Sequence, residues 1–129
     1  MKKKFIFTKR APEAIGPYSQ AILCGDLLFI SGQIGIDPES GNLSPSIENQ
    51  ARQTMENLKA ILKQANMGLE DVVQTRIYLK EIADFQKVNE IYASYFDGDY
   101  PARSTLQAAA LPKNALVEIE MTAVKAQDS

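Results

Sequence analysis

Pro101-Ala102-Arg103-Ser104-Thr105-Leu106-Gln107, then Leu111-Pro112-Lys113-Asn114, then Val117-Glu118-Ile119-Glu120-Met121: this stretch reads as two strands joined by a loop. Pro101 fixes its own φ and biases Tyr100 toward extended backbone. In the first strand Arg103, Thr105 and Gln107 share one face, and Ala102, Ser104 and Leu106 the other. The Leu-Pro-Lys-Asn run signals a turn. In the second strand Val117, Ile119, Met121 and Ala123 point one way, and Glu118, Glu120 and Thr122 the other. If both strands lie in one sheet, a guanidinium and a carboxylate can share a polar face, a minimal site for a carboxylate substrate and a water. The commoner meaning of such alternation is a solvated face of an antiparallel sheet.

Working outward, the chain has 129 residues, 45% hydrophobic and 23% charged, and is read as one globular domain over residues 1–129. The start, Met1-Lys2-Lys3-Lys4-Phe5-Ile6-Phe7, has the charge of a signal-peptide n-region, but its apolar part stops at Thr8-Lys9-Arg10. No apolar run approaches the roughly 20 residues of a membrane helix, and a cytoplasmic location is expected. The single cysteine, Cys24, has no partner for an internal disulfide. The chain has no histidine, which excludes His-based acid–base chemistry and leaves no zinc ligand set. The formal charge of −2 gives no global attraction for nucleic acid, and the local cluster Lys2, Lys3, Lys4, Lys9 and Arg10 is read as a solvated first strand.

The pattern predicts strands over 3–7, 18–24 and 27–33, with Gly25-Asp26 as a tight turn. Gly32 near a strand end is read as a bulge or as a point of close backbone approach. A long helix is predicted over 46–66 from the stripe Ile47, Ala51, Met55, Leu58, Ile61, Leu62 and Ala65, capped by Ser44 or Ser46, with Gly68 in the left-handed position beyond its end. A strand over 72–79 places Val73, Thr75, Ile77 and Leu79 opposite Val72, Gln74, Arg76 and Tyr78. A second helix, capped by Asp84, runs to about Phe96. The order βββαβαββ implies an α+β fold with both helices on one face of a mixed sheet. The other face is expected to carry Phe29, Ser31, Gln74, Tyr78, Arg103, Thr105, Glu118 and Glu120. A face so mixed in polarity suits packing against copies of itself, and a closed homo-oligomer is expected.

The segments Ile15-Gly16-Pro17-Tyr18-Ser19-Gln20, Ser31-Gly32-Gln33-Ile34, Asn57-Leu58-Lys59-Ala60-Ile61-Leu62, Phe85-Gln86-Lys87-Val88-Asn89 and Pro101-Ala102-Arg103-Ser104 occur here in that order. Together they resemble the RidA/YjgF family, also called the reactive intermediate deaminase or endoribonuclease L-PSP family. The resemblance runs from about residue 8 to 125 and is most specific in Pro-Ala-Arg-Ser and the later Val-Glu-Ile-Glu. It implies a chorismate-mutase-like fold and a homotrimer with a barrel-like core and clefts between subunits. It implies a hydrolase acting on C=N bonds, a 2-iminobutanoate/2-iminopropanoate deaminase. Such an enzyme converts reactive 2-imino and 2-enamino acids, released by pyridoxal-phosphate enzymes, to 2-keto acids and ammonia, without metal or cofactor.

By resemblance, Arg103 binds the substrate carboxylate, for which a planar fork suits a bidentate contact, and Glu118 positions and activates the attacking water. Glu120, on the same face, ranks second and is more simply a structural carboxylate. Tyr18 lines the cleft from a neighbouring subunit, Ser31 and Asn89 shape the pocket, Gly32 admits the ligand to the backbone, and the Thr105 N–H serves the ligand. Two departures stand out: Thr105 where many members carry cysteine, and Ala110 where many carry arginine. A non-catalytic protein that binds 2-keto acids or amino acids would use the same cleft without turnover. A ribonuclease or translation inhibitor would need a basic patch interleaved with aromatics, which the sequence lacks.

Overall fold

The computed structural model describes residues 2–126. Six strands form one mixed sheet: β1 (Lys3–Ile6), β2 (Ala21–Cys24), β3 (Leu27–Gln33), β4 (Val72–Leu79), β5 (Ala102–Gln107) and β6 (Val117–Val124), in the order β1-β2-β3-β6-β4-β5. All neighbours pair antiparallel except β4 and β5, which run parallel. The helices α1 (Ile47–Gln64) and α2 (Phe85–Ala93) cover one face. The core lies between them and the sheet: Leu58, Ile61 and Leu62 of α1 and Ile77, Leu79, Val117 and Ile119 of β4 and β6 are essentially inaccessible. No helix among the described residues is long and apolar enough to cross a membrane.

Local chemistry explains where the elements begin and end. Ser46 is extended and its Oγ accepts from the Asn49 N–H at 3.0 Å, an N-cap. After α1 the left-handed residue is Asn66 (φ 59°), not Gly68, which is extended; asparagine tolerates that region because its side chain is short and polar. Asp84 does not cap α2 with its side chain. A 3₁₀ turn over Ile82–Asp84 runs directly into the helix, so Asp84 is already helical rather than extended. α2 stops at Ala93, earlier than predicted; there the Ser94 hydroxyl donates to the Ile91 carbonyl. In β4 a bulge between Val72 and Gln74 turns Val72 into the core and leaves Val73 exposed, reversing the predicted faces of that pair. β2 starts at Ala21, so Tyr18 lies in the preceding loop rather than in a strand.

That loop is held by one buried amide. Gln20 accepts from the Thr8 N–H at 2.8 Å and donates to the carbonyls of Thr8 (3.1 Å) and Pro12 (2.9 Å). Behind β3, Asn57 of α1 donates to the carbonyls of Ile34 and Ile36. Gly35 sits so close to the helix that a Cβ there would lie 2.7 Å from the Gln50 Cα. Gln20→Ala strands several of these groups and is expected to lower the unfolding free energy by about 2–3 kcal/mol, read from urea midpoints at fixed protein concentration.

Candidate functional site

The pleat sorts the functional side chains. On β6, Val117, Ile119 and Met121 are drawn into the core, so Glu118 and Glu120 face away from the helices. Antiparallel register sets Tyr78 opposite Glu118 and Arg76 opposite Glu120 on the same open face. β5 pairs with β4 in parallel, with Arg103 beside Thr75 and Thr105 beside Ile77. Thr75 and Ile77 are core residues, so Arg103 and Thr105 lie on the helix side of the sheet. The expectation that they share the open face with Glu118 and Glu120 is therefore overturned. The alternation within each strand was read correctly, but the parallel register of β5 decides which face is which.

Two separate cavities result. The first, of about 410 Å³, is lined by Tyr18, Ser31, Gly32, Glu118 and Glu120, with Pro12, Ile15, Ile34, Ile36 and Pro112 as apolar walls and Glu13 at its side. Gly32 lies in a register shift of β3 between Ile30 and Gln33, so the bulge reading holds. The close approach also holds, because a Cβ on Gly32 would overlap Glu118 Oε2 and lie 2.9 Å from its Cδ. Ser31 Oγ donates to the Ser19 carbonyl at 2.6 Å and its N–H to the Gln20 carbonyl, so Ser31 shapes the cavity by tying β3 to the Tyr18 loop. Tyr18 is half exposed at the rim. Burial, reinforced by the neighbouring Glu120, pushes the Glu118 carboxyl above the usual range.

The second cavity, of about 300 Å³, lies on the other side of the sheet and is lined by Asn89, Tyr92, Ala93, Tyr100, Pro101 and Arg103. The Arg103 guanidinium stands over two rings, 5.2 Å from the centre of Tyr92 and 5.5 Å from that of Phe85. Tyr92 is itself pinned by a 2.9 Å hydrogen bond with Thr75 Oγ1. Nearby, the buried Thr105 Oγ1 has no hydrogen-bond partner among the described residues. Asn89 and Arg103 thus come together, as do Tyr18, Gly32 and Glu118, but the two groups remain apart. Ala110 is exposed in the loop after β5. A larger hollow, about 1210 Å³ and open, lies between α1 and the chain around Met67–Glu70 and shares no lining residue with either cavity.

No site role attaches to Phe85, Tyr92 or Arg76 in the sequence reading. Their partners are visible only through register. No cluster of His, Cys, Asp and Glu suited to a metal occurs among the described residues.

A family model described as Endoribonuclease L-PSP matches residues 8–125. A 2-iminobutanoate/2-iminopropanoate deaminase of Rattus norvegicus is 49% identical over 124 residues, 95% of this chain and 90% of that one. The chain belongs to the RidA/YjgF family. Within this family, a Rid protein of Yersinia pestis superposes with a TM-score of 0.94 at 49% identity, covering 96% of this chain and 100% of its own. E. coli TdcF, solved with bound serine, gives a TM-score of 0.93 at 40% identity, over 95% of this chain and 99% of that one. The α+β fold with two helices on one face is thus that of RidA/YjgF proteins.

The raised Glu118 pKa has a signed consequence for stability. A carboxyl whose folded pKa lies above its unfolded one disfavours folding once pH exceeds the folded value, and has no effect below the unfolded value. Glu118→Gln is therefore expected to raise Tm at pH 7 by about 1–3 °C, and the gain should vanish as the pH is taken below the ordinary glutamate range. A melting series from neutral to acid pH checks both halves.

Proposed function

We propose that this protein is a cytoplasmic homotrimeric 2-imino acid deaminase, a hydrolase of C=N bonds, whose active site forms where two protomers meet. One observation carries the reading. A poised carboxylate, Glu118, faces one cavity and a ring-clamped guanidinium, Arg103, lines another, on opposite faces of the sheet. The carboxylate and the C=N carbon of a 2-imino acid are adjacent atoms, so both groups must come within a few ångströms of one small molecule. A second copy docking on the open face brings them together. Phe5, Leu27, Phe29 and Leu106 lie exposed on that face, an apolar strip that a partner would bury. Relatives named as deaminases and a family structure holding a small amino acid agree with this reading.

In the reaction, Arg103 takes the substrate carboxylate, with Asn89 and the unpaired Thr105 Oγ1 beside it. Tyr18, Ser31 and Gly32 bound the cleft on the other protomer. Glu118 accepts a proton from water as its oxygen adds to C2 of the iminium, giving a carbinolamine. It returns that proton to nitrogen. The C–N bond then breaks, Glu118 takes the carbinolamine O–H proton and passes it to the departing ammonia, and the products are a 2-keto acid and ammonium, with Glu118 again ionised. A carboxyl with raised pKa suits this alternation of accepting and donating. Holding the atoms in place supplies much of the rate.

The test generates 2-iminobutanoate with an amino-acid oxidase or threonine dehydratase and traps it with semicarbazide. Wild type should suppress the semicarbazone. Arg103→Ala should lose roughly 10²–10³-fold in kcat/KM and Glu118→Ala roughly 10²–10⁴-fold in kcat, both as intact trimers. Refolding these two inactive variants together should restore about a quarter of wild-type activity, since each mixed ring holds one intact site. A trimer that leaves the trapped imine untouched would instead support a ligand-binding protein without turnover. Gly32→Ala should fold, because the displaced atoms are the end of a flexible side chain, yet lose roughly 100-fold in kcat by moving Glu118.

A further inference from the structure

Glu118 does not stand alone on the open face. From its own strand it is faced by Glu120. From β4 it is faced by Tyr78 directly opposite, with Arg76 one pair further along. From β3 come Ser31 and Gln33, and from the N-terminal loop Glu13 and Tyr18. Of these, Glu120 is tied in place: the Tyr78 hydroxyl donates to its Oε1 at 2.7 Å, and Arg76 Nη1 lies 3.4 Å from the same oxygen. Arg76 is half exposed, so this pair adds little to stability. What the contacts do is orient one carboxylate oxygen toward β4 and keep its charge in the cavity wall.

Resting on the reading that Glu118 handles the protons of the reacting water, we propose that Glu120, clamped by Tyr78 and Arg76, is a positioning residue whose fixed negative charge sets the pH range in which Glu118 exchanges protons. Two like charges on one strand face each oppose ionisation of the other. Here the phenol and the guanidinium both go to Glu120, and among the described residues no cation pairs with Glu118. Donation to Glu120 also raises the Tyr78 phenol pKa, with burial adding to the effect, so it stays a donor through the neutral range. The asymmetry leaves Glu118 as the carboxyl free to take and return a proton, with Glu120 as a standing charge at its side.

The experiment follows the Glu118 side-chain carboxyl carbon by NMR in the intact, glutamate-labelled protein, assigned with Glu118→Gln. In Glu120→Gln the Glu118 titration should move to lower pH. The acid limb of kcat/KM should follow it, with kcat at neutral pH down about 10-fold against the roughly 10²–10⁴-fold loss when a general base is removed, and KM little changed. Tyr78→Phe should move the titration the same way by less, because a released Glu120 turns toward solvent, and Glu120→Asp should recover part of the wild-type position. An unchanged Glu118 titration in Glu120→Gln overturns the proposal, whatever happens to activity. A shifted titration in a protein that never consumes imine would establish the coupling while removing the deaminase reading, so the two failures are distinct.

Discussion

A strand side chain belongs to one face of its sheet and cannot be shared between them. In this protein β6 makes the decisive choice. Packing Val117, Ile119 and Met121 under α1 forces Glu118 and Glu120 to the open face. Parallel pairing of β5 on β4 then forces Arg103 and Thr105 to the covered face. β6 cannot turn over without exposing its buried row and burying its charges. The core therefore keeps the guanidinium and the carboxylate on opposite faces of the sheet within one chain.

The same packing explains what could be read beforehand. The helical stripes and the Val-Glu-Ile-Glu alternation were legible because their period is local and their apolar rows are unbroken. The face of Arg103 was not, since it depends on the register in which β5 pairs with a strand more than twenty residues earlier, and nothing near Arg103 encodes that. The bulge at Val72–Gln74 and the left-handed Asn66 were missed for a related reason: each is a single-residue departure from a pattern that continues on both sides. Tyr18, Ser31, Gly32 and Glu118 nevertheless line one cavity, and Asn89 and Arg103 another. Tyr78 and Arg76 matter only because β6 aligns them with the glutamates.

Glu118 shows how the fold holds a group that does not favour it. A half-buried carboxyl beside another carboxyl is not there for stability, and Gly32 keeps the room it occupies by carrying no side chain at all. Around it the rigid parts are polar and fully engaged. Gln20 anchors the Tyr18 loop, Ser31 ties that loop to β3, and Asn57 holds the Ile34–Ile36 turn. Each of these side chains bonds to main-chain groups, so the cavity wall is fixed by main chain rather than by the rotamers of its lining residues.

The contact of Gly35 with the backbone of α1 extends that logic to the far side of the sheet. Because the turn bearing Ile34 and Ile36 rests on the helix without an intervening side chain, there is no soft layer to absorb a shift of α1. A change of volume beneath the helix, at Met55 or Leu58, travels to the cavity as a displacement of its wall. The hydrophobic core thus works as a spacer gauge for the site, and the dimensions of the cleft can be retuned by substitutions at positions that no ligand ever touches.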